Sequence, residues 1–151
     1  MVIALIGGRC CGKSALAKAI CEKVHAAVYT GCSYRDLAPE EEAARAKFRE
    51  LLAAAQPGED YVIYLVTDKS LLNVLPDGCL RILCKAQLKT VKERFAAQMG
   101  EPLTLPMSTM LERQYNSFDD CPHDIFLDPT ADDPQLLAVQ VLEAAREKRR
   151  P

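Results

Sequence analysis

Residues 7 to 14 read Gly-Gly-Arg-Cys-Cys-Gly-Lys-Ser, and they meet every fixed position of the phosphate-binding pattern G-x-x-x-x-G-K-[ST]. The chemistry of this octapeptide is anion capture. Gly7 and Gly12 allow backbone turns that a side chain would block, so the N–H groups of Gly8, Arg9, Cys10, Cys11 and their neighbours can point inward around a phosphate. Lys13 adds a positive charge for the outer phosphates, and the Ser14 hydroxyl can ligate the Mg²⁺ that accompanies them. The flanking residues supply the context this chemistry needs. Val2 to Ile6 is an apolar, strand-like run, and Ala15 to Ile20 continues as a helix former whose N-terminal dipole faces the anion. Strand, loop and helix together mark a nucleoside triphosphate site.

Composition limits what surrounds that site. At 151 residues, 49% apolar and 26% charged, residues 1–151 read as a single globular domain. The formal charge of -2 gives no global signal for nucleic acid, and the basic close Arg146 to Arg150 reads as a solvated helix end. No apolar stretch approaches membrane-spanning length and Met1 to Ile6 is too short for a signal peptide, so the expected location is cytoplasmic with no membrane partner. Seven cysteines show no C-x-x-C pair and no zinc spacing with His25 or His123, which fits core thiols in a reducing compartment. Cys10 and Cys11 are the exception. A helix N-terminus and Lys13 are expected to lower a thiol pKa there.

The elements that position the loop alternate between strand and helix. A helix over about 13–25 is followed by a short strand at 26–30, a polar loop from Gly31 to Pro39, and a helix opening at Pro39-Glu40-Glu41-Glu42 and running to about Ala55. Tyr61 to Val66 is a nearly continuous apolar run, as expected of a parallel strand covered on both faces, and Thr67-Asp68 ends it. Further strands are expected at Leu80 to Cys84 and Asp124 to Leu127, with helices at 87–99, Leu105 to Phe118 and about 134–148. This order predicts a three-layer α/β/α sandwich with a five-stranded parallel sheet, with ligands gathering at the strands' carboxyl ends. Gly7, the segment Gly31 to Asp36, Asp68, Lys85 and Asp128 all fall at those ends.

Over nearly its whole length the chain resembles the small P-loop kinases, the cytidylate kinase-like, shikimate kinase-like and gluconate kinase-like proteins. The resemblance rests on Gly7 to Ser14 and on two less specific signatures. Val91-Lys92-Glu93-Arg94-Phe95, followed by Met110-Leu111-Glu112-Arg113-Gln114-Tyr115, is similar to the arginine-bearing lid of these kinases, here about residues 95–118. Asp128 to Pro134 is similar to the turn beside the nucleotide base, which places Pro129 and Thr130 against the nucleotide. The resemblance implies ATP and Mg²⁺ as cofactors and a small-molecule acceptor, a nucleoside monophosphate or a polyol-like metabolite. It implies that Arg94 and Arg113 close over the phosphates, against the alternative of helix-surface ion pairs. Asp68 resembles the Walker B position that binds Mg²⁺ through water, against a plain turn former.

The acceptor side departs from the pattern. These kinases place an acidic residue just after the second strand. In Gly31-Cys32-Ser33-Tyr34-Arg35-Asp36 only Asp36 can fill that role, its rival reading being a helix cap. Arg35 or Tyr34 could hold an anionic or hydroxylated acceptor. The atypical segment keeps a second function class open, a nucleotide-binding regulatory or accessory module with little transfer. A GTPase-like switch is disfavoured because Leu83-Cys84-Lys85-Ala86 is no N-K-x-D base-reading motif.

Overall fold

The computed structural model describes residues 1–150. Five strands, β1 (Val2–Ile6), β2 (Ala26–Thr30), β3 (Tyr61–Val66), β4 (Leu80–Cys84) and β5 (Ile125–Leu127), form one all-parallel sheet in the order β2-β3-β1-β4-β5. The apolar run before the phosphate-binding pattern is thus the central strand, paired with β3 through Ile3 to Ile63 and with β4 through Ile3 to Leu80. All five residues of β1 are buried, as both faces of a central parallel strand must be.

Side-chain alternation along β1 assigns the two helical layers. Ile3 and Leu5 point into the cluster that holds Leu16 and Ile20 of α1 (Lys13–Cys21), Val91 of α3 (Leu88–Met99), Leu111 of α4 (Leu105–Asn116) and Val141 of α5 (Pro134–Arg149). Val2, Ala4 and Ile6 face the opposite cluster, where Ala44, Phe48 and Leu52 of α2 (Glu41–Ala55) pack on Tyr64 and Val66. This is the three-layer α/β/α arrangement expected from the sequence.

Phe48 centres the second layer. Its ring meets Tyr64 edge-on at 4.9 Å and Tyr29 at 5.6 Å, with 1% of its surface exposed. Phe48→Ala is expected to destabilise the fold by about 3–5 kcal/mol, because the aromatic contacts and the filled volume are lost together. Urea unfolding monitored by circular dichroism measures this, and a loss below the large-to-small range would mean that the layer collapses to fill the space.

The differences from expectation are local. The helix α1 stops at Cys21 rather than near residue 25, and beyond it the Lys23 amide bonds the Ile20 carbonyl three residues back, which the Val24 amide shares. The loop after β2 contains a 3-10 turn, Ser33–Leu37, and a second one, Lys69–Val74, follows β3. Among the described residues no helix is long and apolar enough to cross a membrane.

Candidate active site

The phosphate-binding octapeptide bridges β1 and α1 at the carboxyl edge of the sheet, where Gly7 N–H donates to the Val66 carbonyl of β3 at 3.0 Å. Its glycines are required by close approach. A Cβ on Gly7 would lie 2.3 Å from the Cys84 carbonyl oxygen, and one on Gly12, whose φ is 90°, would lie 2.8 Å from Pro129 Cβ. Cys10, at φ 61°, also takes the left-handed conformation that curls the loop. Lys13 is buried, and its ammonium donates to the Gly7 carbonyl at 2.6 Å and the Gly8 carbonyl at 2.7 Å. The charge therefore sits inside the curl. Ser14 and Ala15, in the first turn of α1, are exposed at its mouth.

An open cleft of about 1140 Å³ begins at this loop. Residues 9–15 line one side, covering Arg9, Cys10, Cys11, Gly12, Lys13, Ser14 and Ala15, and Arg94 reaches it from α3. Asp68, at the end of β3, also lines it, and its Oδ1 accepts from the Ser70 amide to cap the 3-10 turn Lys69–Val74. The far wall carries Tyr34, Arg35, Glu41 and Arg45. The Tyr34 hydroxyl donates to Glu41 Oε1 at 2.9 Å, and that bond, with Arg45 beside it, holds the Glu41 carboxyl below its ordinary pKa and hence ionised at neutral pH.

Several sequence-predicted residues lie elsewhere. Asp36 is exposed and does not line the cleft, because the 3-10 turn buries Tyr34 and carries Asp36 to the outer side. Arg113 is exposed and also outside the lining. Its neighbour Gln114 takes the inward position, accepting from the Arg9 amide at 2.7 Å and packing against Gly8. The segment after α4 carries the ion pairs Lys69–Asp120 at 2.7 Å and Lys85–Asp119 at 2.5 Å. Pro129 is buried against Gly12 and Thr130 is half-buried, its amide and hydroxyl both donating to Asp128 Oδ1. Pro129 abuts the loop, and neither residue lines the cleft.

The thiols correct one expectation. The Cys10 pKa is raised rather than lowered, because burial and the neighbouring Cys11 outweigh Arg94, Arg9 and Lys13. Cys11, Cys79, Cys84 and Cys121 are core thiols, and Cys21 and Cys32 are exposed.

No protein-family model matches this chain, and no curated protein does. The similarity lies in the fold. A tunicamycin resistance protein from Deinococcus radiodurans superposes with a TM-score of 0.68 at 20% identity, over 95% of this chain and 94% of its own. Shikimate kinase from Acinetobacter baumannii, in complex with shikimate, gives 0.64 at 12% identity over 99% and 95%. A gluconokinase from Sinorhizobium meliloti gives 0.62 at 15% identity over 97% and 93%. The fold is that of the small P-loop kinases. Within it, the loop curl around Lys13 suits a phosphate chain. Among the described residues no group of three or more His, Cys, Asp or Glu side chains could hold a metal ion. Ser14 and Asp68, in the same cleft, are the residues that could hold Mg²⁺.

Proposed function

We propose that this chain transfers the terminal phosphoryl group of ATP to a small-molecule acceptor, a nucleoside monophosphate or a polyol-like metabolite. The observation that carries this reading is the size and polarity of one cleft. A pocket for one ligand occupies roughly 300–1,000 Å³, and the cleft of about 1140 Å³ running from Lys13 past Asp68 to Tyr34 exceeds that range, which supports a nucleotide with a small second reactant. Phosphoryl transfer asks little covalent chemistry of a protein; it asks for placed charge and excluded water.

The loop amides and Lys13 fix the phosphate oxygens, with the Pro129–Thr130 turn beside the base. Ser14 and Asp68 hold Mg²⁺, which neutralises phosphate charge when bound. Because Asp36 faces away from the cleft, we assign the orientation of the acceptor hydroxyl to Asp68. Arg94 meets the charge that develops on the transferring group. Nucleotide and acceptor are the partners of this reading, in the cytoplasm, with neither nucleic acid nor membrane.

A coupled ADP-release screen over nucleoside monophosphates, sugar acids and shikimate-like acceptors tests it. Acceptor-dependent release supports transfer. ATP binding with no such release favours the accessory-module reading, which the outward position of Asp36 keeps in play. Within the screen, Arg94→Ala is expected to lower kcat at least about tenfold while ADP affinity holds, since its charge is needed when the phosphoryl group is in flight. Arg113→Ala should leave both near the parent value. Equal losses of ADP affinity and kcat for Arg94→Ala would make it a ground-state contact.

A further inference from the structure

One amide of the phosphate loop is already committed inside the protein. The Arg9 N–H donates to Gln114 Oε1 of α4 at 2.7 Å, and the Gln114 stem packs on the loop, its Cγ 3.4 Å from where a Cβ on Gly8 would lie. Arg9 therefore adds nothing to the anion cradle through its backbone. What it has left to offer a nucleotide is its guanidinium, five N–H donors in a planar fork that matches phosphate oxygens. That group is free. Arg9 is exposed where it borders the cleft and forms no ion pair among the described residues, whereas Lys69 and Arg45 of the same cleft are paired with Asp120 and Glu41. The charges of Arg94, Arg9 and Lys13 all act on the Cys10 thiol, so three cations gather around one side chain of the loop.

The other side of the site is short of a cation. Of Arg94 and Arg113, the two arginines of the lid-like signature, only Arg94 lines the cleft. Glu112 pairs with Lys92 of α3 at 2.6 Å and Leu111 is buried, so turning Arg113 inward would break an ion pair and expose a core residue together. The connection between α3 and α4, residues 100–104, reads Gly-Glu-Pro-Leu-Thr and has no positive charge to offer instead. Arg9 is the unpaired cation that the loop itself carries to this place.

We propose that the Arg9 guanidinium binds the terminal phosphate of the nucleotide and stays on it during transfer, with Gln114 as the residue that positions Arg9 through its amide. This deepens the kinase reading and rests on it. In the step that Arg9 serves, the acceptor oxygen bonds to the terminal phosphorus, the bond from that phosphorus to the bridging oxygen breaks to free ADP, and the acceptor proton passes to Asp68. Negative charge stays on the oxygens of the group in flight, and a fork on two of them stabilises it. The charge is in place before the acceptor arrives, because α4 holds the loop that bears it.

Two measurements test this, and the first needs no acceptor. In calorimetric titrations, Arg9→Ala should bind AMP-PNP, which keeps a terminal phosphate, about tenfold or more weakly than the parent, the loss of a charge-assisted contact, while ADP affinity stays at the parent value. Parent-like AMP-PNP affinity in Arg9→Ala, or an equal loss for ADP, overturns the proposal whether or not any acceptor is turned over. In the coupled assay, Arg9→Ala should lower kcat about a hundredfold, with Arg9→Lys recovering part of the loss because it keeps the charge without the fork. Parent-like turnover in Arg9→Ala overturns the proposal and leaves the kinase reading standing. Gln114→Leu keeps the bulk and removes the acceptor of the Arg9 amide. It should lower kcat when Arg9 is present and change it little in the Arg9→Ala background, a non-additivity that a merely structural role would not give. Additive losses would overturn the role of Gln114.

Discussion

Lys13→Ala is expected to abolish phosphoryl transfer, a loss of roughly 10³-fold or more, and to weaken ATP binding while the fold persists. The ammonium donates to two loop carbonyls at 2.6 and 2.7 Å and lies 3.6 Å from Cys11 Sγ, so its charge is already inside the loop and its donors turn from these partners to phosphate oxygens when the nucleotide arrives. Alanine removes the charge and also the buried stem. Lys13→Met keeps the stem in place, so it isolates the electrostatic part; its thermal midpoint should stay near the parent. Calorimetric ATP titration and the coupled assay read the two effects apart. Parent-like turnover in Lys13→Met would remove the loop from the chemistry.

The residues that could be placed from sequence are those whose role is imposed by the backbone. Gly7 and Gly12 are fixed by carbonyl and proline contacts that a Cβ would violate, and such constraints leave a fixed spacing in the chain. The five strands are equally plain, since burial on both faces requires continuous apolar runs such as Tyr61 to Val66. Side-chain direction on the surrounding helices is another matter. Arg113 and Gln114 are one residue apart, which on an α-helix is a rotation of about 100°. Only the burial of Leu111 against the core turns Gln114 inward and Arg113 out.

The 3-10 turn after β2 hides the far wall of the cleft in the same way. With three residues per turn, burying Tyr34 sends Asp36 to a different side, and the carboxylate from this part of the chain that reaches the cleft is Glu41, in the first turn of α2. A signal was present. An aromatic residue in an otherwise polar loop has to bury its ring, and Glu41 with Arg45 is an i,i+4 pair that shares one face of a helix. Reading Tyr34 as an anchor would have pointed to that face.

Asp68→Asn is expected to lower acceptor-dependent turnover about a hundredfold or more with ATP affinity largely kept, the range for a lost general base or metal-orienting carboxylate. The substitution preserves shape, and the asparagine carbonyl can still accept from the Ser70 amide, so the cap of the Lys69–Val74 turn survives. What disappears is the negative charge in a cleft otherwise dominated by Arg9, Lys13, Arg35 and Arg94. Asp36→Asn is the matched control. Its side chain is exposed outside the lining, and it should turn over acceptor at the parent rate. The pair of variants decides between the two carboxylates by kinetics alone. A hundredfold loss in Asp36→Asn with parent-like Asp68→Asn would mean that the segment after β2 reorganises when the acceptor binds, carrying Asp36 inward and Tyr34 out of its burial.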